Sequence, residues 1–473
     1  MKRREFMKAA GVIAGTAAAG VRVSGRPSAR WANAADPRPN ILLVMTDQQS
    51  ADAMSCRMGK AFINTPAMDS LAARGVSFTR AYTANPLCVP ARASLFTGQL
   101  PHVTGFQTND LTVSLAGRHR CLGSYFREAG YDTGYFGKWH LPFPAKDPSA
   151  HGFGVMGAIK NNGADPGIAS PAAAFIRQPR EKPFLLVTSF VNPHNICEWA
   201  RGDELQDGAV GDPPPPERCP PAVENLAPPR DEADGVLLMR RSYQTSPMFP
   251  VGEFDRDKWR QYRWAYFRMI EKVDAHVGTI LAALRDAGQL DRTVIVFLSD
   301  HGDCQGAHGW NQKTVFYDNS SRVPLVIVGP GATRGGLSEQ LVNIGIDILP
   351  TLCDFAGIEA PAGLPGVSLR ASAGPRLAAD PRMYVVSENR MVQGAPVDGR
   401  TPELSGRMVR SARFKYCAYD TGSRRESLFD MQADPGETVN LARTPEHRQV
   451  LALHRQYLTE WCREMKDPFV APG

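Results

Sequence analysis

Polar side chains that can do chemistry follow four of the predicted strands of this sequence, at the points where the strands end. They are Asp47 and Gln48 after ILLVMT, Lys138 and His140 at the end of YDTGYFGKWH, His194 after FLLVTSFVNP, and Asp300 and His301 after VIVFLS. In open α/β sheets, ligands bind beyond the carboxyl ends of the strands. A single Asp or His at a strand end is commonly a cap or a turn residue. Four such ends together predict a site.

The stretch GYFGKWH predicts how two of these side chains are oriented. Lys138 and His140 are two residues apart, so in an extended chain both side chains point to the same side while Trp139 points away. An amine and an imidazole therefore join the acids at the same edge of the sheet.

The acids and one imidazole form a set that suits a hard cation. Asp47, Gln48 and Asp300 offer oxygen atoms and His301 offers one nitrogen, which favours calcium or magnesium over zinc. Cys88, in PLCVPARASLFTG, lies where a helix is predicted to begin, but a soft thiolate is a poor ligand for such an ion. The thiol is therefore either unrelated to the metal or is not a thiol in the working protein.

The residues around Cys88 resemble a family signature. Cys88, Pro90 and Arg92 are spaced as in C-x-P-x-R, the sulfatase signature. Other segments resemble sulfatase segments in the same order, namely PNILLVMTDQQSAD, GYFGKWH, NPH, SDHGDCQGAHGWNQKTVFYDNSSRVPLVI and SLFDMQADPGETVNLA. The resemblance covers nearly the whole chain after the leader and implies an alkaline-phosphatase-like sandwich.

The resemblance implies a modified nucleophile. In the family, the cysteine corresponding to Cys88 is oxidised to formylglycine before folding, by a formylglycine-generating enzyme, and the aldehyde hydrates to a diol. Position 88 then acts through oxygen on the metal, which removes the conflict between a hard cation and a soft thiol. By similarity, the metal is calcium, with magnesium as the alternative, and its other ligands are Asp47, Gln48, Asp300 and His301.

The resemblance also assigns roles around the sulfate group. Arg92 and Lys138 stabilise the diol, and Lys313 contacts the sulfate. His194 gives a proton to the leaving alcohol, and His140 removes the proton that allows sulfate to be expelled. Asp300 is a candidate acceptor for the proton of the attacking hydroxyl. A helix beginning at position 88 adds backbone N–H groups that face the anion.

One position departs from the common pattern of the family. Many relatives have two consecutive aspartates where this chain has Asp47 and Gln48, so one negative charge is missing from the predicted metal site. Other bacterial members resemble this variant, and we interpret the change as tolerated.

The predicted function is hydrolysis of a sulfate ester, with a sulfated saccharide or another sulfate monoester as substrate. Two alternatives remain: a phosphonate monoester or phosphodiester hydrolase of the same superfamily, and a non-catalytic glycan-binding relative in which Cys88 stays a thiol. A two-zinc phosphatase is disfavoured, because it requires more histidines at the strand ends and a hydroxyl nucleophile.

The first residues resemble a twin-arginine export signal. Arg3 and Arg4 precede an apolar run, and a small-x-small cleavage pattern follows at Ala32 to Ala34. The signal is predicted over residues 1–34, with the twin-arginine machinery as a partner and a periplasmic or extracellular location. An ordinary secretion signal and a membrane anchor are the alternatives. Removing this segment cancels the net charge of +6, so the charge gives no support for nucleic-acid binding.

The pattern along the chain predicts an α/β fold with helices on both faces of a large, mainly parallel sheet, plus a smaller α+β domain. The apolar runs at 41, 184, 294 and 324 are continuous, which is typical of strands buried on both faces of a parallel sheet. A helix is predicted over about 256–287, and a proline-rich loop over 200–250. The catalytic domain is predicted over 37–366 and the C-terminal domain over 375–473.

The nine cysteines contain no C-x-x-C pair, which disfavours a zinc ribbon or a thioredoxin-like site.

Overall fold

Eight strands form the larger of two sheets in a computed structural model of the chain, which describes residues 38–374 and 382–472. The strands are β1 (Asn40–Asp47), β2 (Val76–Tyr82), β3 (Asp132–Lys138), β4 (Val155–Lys160), β5 (Phe184–Pro193), β6 (Thr293–Ser299), β7 (Leu325–Val328) and β8 (Gly336–Asn343). Their order is β4-β3-β5-β1-β6-β7-β2-β8, with β1 at the centre and parallel to both β5 and β6. This arrangement brings the ends of β1, β3, β5 and β6 to one edge.

One strand direction differs from the prediction. The apolar run at 324 was expected to be a parallel strand, but β7 pairs antiparallel with both of its neighbours, β6 and β2. The segment between β6 and β7 contains no helix longer than four residues, so the chain does not cross back along the sheet before it re-enters. A continuous apolar run indicates that a strand is buried on both faces, but it does not indicate the direction of the strand.

Most α-helices of the described residues cover the two faces of this sheet, and two of them pack on the second sheet described below. The helices are α1 (Ser55–Met58), α2 (Pro66–Arg74), α3 (Cys88–Thr97), α4 (Pro101–Thr104), α5 (Leu122–Glu128), α6 (Pro148–His151), α7 (Ala169–Arg177), α8 (Ile196–Arg201), α9 (Asp234–Gln244), α10 (Arg256–Asp286), α11 (Asp318–Ser321), α12 (Ile344–Ala356), α13 (Arg370–Ala373) and α14 (Arg448–Met465). Alternate residues of β1 enter two cores: Leu43 packs with α3, α5 and α12, and Leu42 packs with α2, α7 and α10. The α/β sandwich is thus confirmed.

The long helix α10 begins at the predicted residue. Its N-cap, Asp255, accepts a hydrogen bond from the N–H of Lys258, as a helix start requires. The predicted apolar stripe is buried along its whole length, at Phe267, Ile270, Val273, Val277, Ile280 and Leu284.

The proline-rich segment is less irregular than predicted. Residues 234–244, expected to be part of the loop, form α9. Val236, Met239 and Tyr243 lie on one side of this helix and are buried in a core shared with the smaller sheet. The helix lies between Pro229 and Pro247 of the segment, and its apolar spacing outweighs the surrounding composition.

A four-stranded antiparallel sheet follows, with α14 packed on it. Its strands are β9 (Tyr384–Met391), β10 (Leu404–Ser411), β11 (Phe414–Tyr419) and β12 (Glu426–Asp430), in the order β12-β11-β10-β9. The buried side chain of Lys415 connects β11 of this sheet to α11. Its Nζ atom lies 2.5 Å from Asp318 and 2.8 Å from Glu437.

Both sheets belong to one compact unit that begins at Arg38. The domain boundary between 366 and 375 stays a prediction, and the predicted signal at 1–34 lies outside the described residues. None of the helices within the described residues combines the length and the apolar character needed to cross a membrane. All nine cysteines lie within the described residues, and none of them forms a disulfide bond.

Candidate active site

Cys88 is the first residue of α3 and is completely buried. The preceding residue, Leu87, is extended, and Pro90 occupies the first turn, where a residue without an N–H costs no helical hydrogen bond. The N–H of Val89 donates to Oδ1 of Asn109 at 3.0 Å. The side chain of position 88 is therefore fixed at the carboxyl edge of the large sheet.

Four potential ligand atoms converge beside this position. Sγ of Cys88 lies 3.2 Å from Nε2 of His301 and 3.8 Å from Oδ1 of Asp47. The same Nε2 atom lies 3.9 Å from Oδ1 of Asp47 and 3.7 Å from Oδ1 of Asp300. The structure thus brings together residues from three separate parts of the sequence, as the strand ends predicted.

Arg92 fixes the orientation of both carboxylates. Its guanidinium donates to Oδ2 of Asp300 at 2.8 Å and to Oδ2 of Asp47 at 3.0 Å, and all three side chains are buried. Its remaining group, NH1, donates to the Ser189 hydroxyl and to the Lys138 carbonyl. Because Arg92 occupies the Oδ2 atoms, the Oδ1 atoms face the centre of the cluster.

The cluster fits a hard divalent cation. Nδ1 of His301 donates to the Gly302 carbonyl at 3.0 Å, which leaves the Nε2 lone pair facing the cluster. Carboxylate oxygens are the ligands that calcium and magnesium prefer in proteins, and two of them face the cluster. Sγ of Cys88 is the one soft donor in the cluster, and it lies at the position where the sequence resemblance predicts an oxygen atom.

The electrostatics of the cluster favour an anion at position 88. Burial and Asp47 oppose ionisation of the Cys88 thiol, but Lys313, Lys138 and His301 lower its pKa well below the usual range. Burial and the charge of Asp47 raise the pKa of Asp300 to about 6. A divalent cation would offset the repulsion between the two carboxylates.

Gln48 connects a lysine to the cluster. Its side-chain oxygen accepts a hydrogen bond from Nζ of Lys313 at 2.5 Å, and its Nε2 donates to Oδ2 of Asp303 at 2.7 Å. Asp303 also accepts a hydrogen bond from the Tyr262 hydroxyl at 3.0 Å. The structure therefore gives the Gln48 amide oxygen a contact with Lys313. Whether Gln48 is also a metal ligand stays a prediction.

Lys138 and His140 both reach the site, although the predicted extended chain ends between them. Nζ of Lys138 lies 2.9 Å from Oδ2 of Asp47. Strand β3 ends at Lys138, and His140 has a φ of +43°. The N–H of His140 donates to Oδ1 of Asn161, which holds this turn in place.

Two imidazoles complete the site. His140 and His194 both lie near enough to Cys88 for its side chain to affect their pKa values. Burial, together with Lys313 and Lys138, lowers the pKa of His194 to about 4. Burial also lowers the pKa of His140. Both rings are therefore neutral at neutral pH, before an anionic substrate offsets the charge of the lysines.

The residues that hold these groups in place were not predicted from the sequence. Asp303 lies two positions after His301 in the same segment, a spacing that could have drawn attention to it. Asn162 accepts a hydrogen bond from Lys138 at 3.4 Å, and Asn109 and Asn161 bind backbone N–H groups at the site. All three asparagines lie on irregular segments, where their sequence gives no pattern.

Two family models match the chain. The model described as Sulfatase matches residues 39–358, and the model described as N-sulphoglucosamine sulphohydrolase, C-terminal, matches residues 306–464. Together they span both sheets.

Curated relatives and solved structures agree with these models. The chain is 32% identical to a Delta 4,5-hexuronate-2-O-sulfatase of Bacteroides thetaiotaomicron, over 92% of this chain and 91% of that protein. It is 27% identical to an N-acetylglucosamine-6-O-sulfatase of the same species, over 91% and 87%. A solved 2-O GAG sulfatase superposes with a TM-score of 0.76 at 28% identity, over 92% of this chain and 95% of the other.

A further neighbour shares the fold alone. The phosphonate monoester hydrolase of Agrobacterium radiobacter is 24% identical, with a TM-score of 0.68 over 90% of this chain and 96% of the other. The family models and the sulfatase relatives cover most of the chain, including the residues that meet at position 88. The chain therefore belongs to the type I sulfatases of the alkaline phosphatase superfamily and is a sulfuric ester hydrolase.

Proposed function

We propose that the protein hydrolyses a sulfate ester of a sulfated saccharide, using formylglycine made from Cys88 and a calcium ion. The observation that supports this best is the convergence of Asp47, Asp300 and His301 on the atom of position 88 that the modification would turn into oxygen. The names of two relatives, a hexuronate 2-O-sulfatase and an N-acetylglucosamine 6-O-sulfatase, support a saccharide as substrate.

The proposed cation would lower the pKa of the hydroxyl at position 88 and would neutralise a sulfate oxygen. Asp47, Asp300 and His301 would hold it, with magnesium as the alternative ion. The side chain of position 88 is fully buried in the folded chain. Its modification by a formylglycine-generating enzyme is therefore proposed to precede folding.

Lys313 would contact the sulfate group, and Lys138 would stabilise the diol at position 88. The ammonium group of Lys138 is held by Asp47, and that of Lys313 is held by Gln48. Both groups are therefore in position before the substrate binds. This preorganisation stabilises developing negative charge, because the groups need not reorganise during the reaction. His140 would accept a proton at position 88.

His194 is proposed to give a proton to the leaving alcohol. We expect His194→Ala to lower kcat for an alkyl or saccharide sulfate by about 10²- to 10⁴-fold, the usual range for a lost general acid. The same variant should hydrolyse an aryl sulfate at close to the normal rate, because a nitrophenolate leaves without a proton. Comparing the two substrates by steady-state kinetics checks this. Equal losses on both substrates would contradict the role.

The substrate class is tested by comparing sulfate and phosphonate esters. We expect kcat/KM for defined sulfated saccharides and an aryl sulfate to exceed that for a phosphonate monoester and a phosphodiester. The reverse order would support the phosphonate hydrolase alternative, whose fold this chain shares. Saccharide binding without turnover, together with an unmodified Cys88, would support a non-catalytic glycan-binding protein.

The cellular route is proposed from residues 1–34 alone. Their resemblance to a twin-arginine signal supports export to the periplasm or the extracellular space. A fusion of these residues to a reporter protein, with Arg3 and Arg4 replaced by lysine as the control, would test the route.

A further inference from the structure

We propose that His194, Cys197 and Glu198 form a second metal site, suited to zinc, beside the predicted catalytic centre. One ligand atom from each of the three side chains lies within 4.8 Å of the other two. A thiolate, an imidazole and a carboxylate are the three ligand types that zinc takes from proteins. The cluster at position 88 has a different character, because its fixed donors are mainly carboxylate oxygens.

The local backbone brings these three side chains together. His194 directly follows β5, and Cys197 and Glu198 lie in the first turn of α8. The N–H of Cys197 donates to the His194 carbonyl at 3.0 Å, which closes the turn between them. Residues three and four positions apart lie on the same side of such a turn. The local fold therefore places all three side chains on the same side of the turn.

Two polar atoms of these side chains are buried without a partner. Within the described residues, neither Nδ1 of His194 nor Oε2 of Glu198 has a hydrogen-bond partner, and both are inaccessible to solvent. The other oxygen of Glu198 lies 3.2 Å from Arg201, so only Oε2 is free. A buried polar atom without a partner has a desolvation cost that no hydrogen bond compensates. A cation between the two atoms would remove this cost.

A comparable cluster shows the contrast. His102, Glu388 and Asp467 also lie within 4.8 Å of one another. There, Nδ1 of His102 lies 2.7 Å from Glu388, and Asp467 lies 2.5 Å from Nε of Arg407. Its carboxylates are already neutralised by neighbouring side chains, so it has the features of a structural ion cluster and not of a metal site.

Zinc binding would have a chemical and a functional consequence. The thiol of Cys197 loses a proton to solvent as the zinc–sulfur bond forms, so binding weakens at low pH. His194 would be held by the metal and could no longer act on the substrate. The resulting inhibition rests on the proposed function of His194, whereas the binding itself does not.

The test measures metal binding apart from activity. Full-length matured enzyme is treated with a chelator, saturated with calcium, and titrated with zinc against a chromophoric zinc chelator. We expect one equivalent of zinc to bind. Cys197→Ala should lose it, and Glu198→Gln should bind it at least about tenfold more weakly. Cys56→Ser, which removes the exposed thiol, is the control and should bind zinc like the original chain.

Cobalt provides the second readout. We expect a thiolate-to-cobalt charge-transfer absorption in the original chain and in Cys88→Ala, and its absence in Cys197→Ala. Equal zinc binding by the original chain and Cys197→Ala, or a cobalt spectrum without thiolate absorption, would overturn the proposal. Glu198→Gln keeps the test decisive if Cys197→Ala does not fold. A chain that binds zinc through Cys197 but hydrolyses no sulfate ester would reject the proposed function alone.

Discussion

Cys88→Ala is expected to lower kcat for sulfate esters by at least about 10³-fold while the protein remains folded. The variant removes the atom from which the nucleophile is made and leaves the surrounding cluster in place. The substitution keeps the β-carbon and removes only the sulfur atom of Cys88, so it should have little effect on packing. Steady-state kinetics and a urea unfolding curve measure the two effects separately.

The matched control is another buried cysteine. Cys353→Ala, in α12 and outside the site, should keep its kcat, because it changes packing alone. Mass spectrometry of the peptide containing position 88 should show the lower mass that results from exchanging CH₂SH for CHO. Full activity in protein that retains the thiol would contradict the proposed nucleophile.

Arg92→Ala is expected to lower the free energy of unfolding by about 3–5 kcal/mol and to abolish activity. The substitution leaves the carboxylates of Asp47 and Asp300 buried without the guanidinium that binds both, and removal of one partner from a buried ion pair has a cost of this size. The Oδ1 atoms also lose their fixed orientation toward the metal site. Urea unfolding at fixed calcium concentration and a calcium titration measure these effects.

An exposed arginine provides the comparison for stability. Arg390 pairs with Glu403 at the surface, with side chains 45% and 61% exposed, and Arg390→Ala should change stability by no more than about 1 kcal/mol. Arg92→Lys keeps the charge but cannot span both carboxylates, so it should bind calcium more weakly than the original chain. If Arg92→Ala were as stable as Arg390→Ala, the argument from buried charge would be wrong.

The contribution of Asp47 to the stability of the folded protein should also fall at low pH. The native-state pKa of Asp47 is well below the usual range; burial opposes this, but Lys138, His194 and Arg92 outweigh it. A lowered native-state pKa gives stability that is present above the unfolded-state value and is lost as the pH falls through the native-state value.

Much of the site could be predicted from local sequence. Asp47, Asp300 and His194 follow apolar runs, and the ends of parallel strands meet at one edge whatever the loops between them do. The spacing of Cys88, Pro90 and Arg92 is fixed within one helical turn, so a short motif contains it entirely. The ends of α10 were predictable for the same reason, since its cap and its apolar stripe are local.

The remaining features depend on distant residues. Gln48 is joined to Asp303 and to Lys313, which are 255 and 265 residues away in the chain, so its contacts depend on how β1 and β6 pair. The direction of β7 was mispredicted, because burial pattern does not encode strand polarity. The sequence by itself determined which residues reach the edge of the sheet. Only the tertiary structure decided which side-chain atoms face one another there, because packing and hydrogen bonds between remote segments set those orientations.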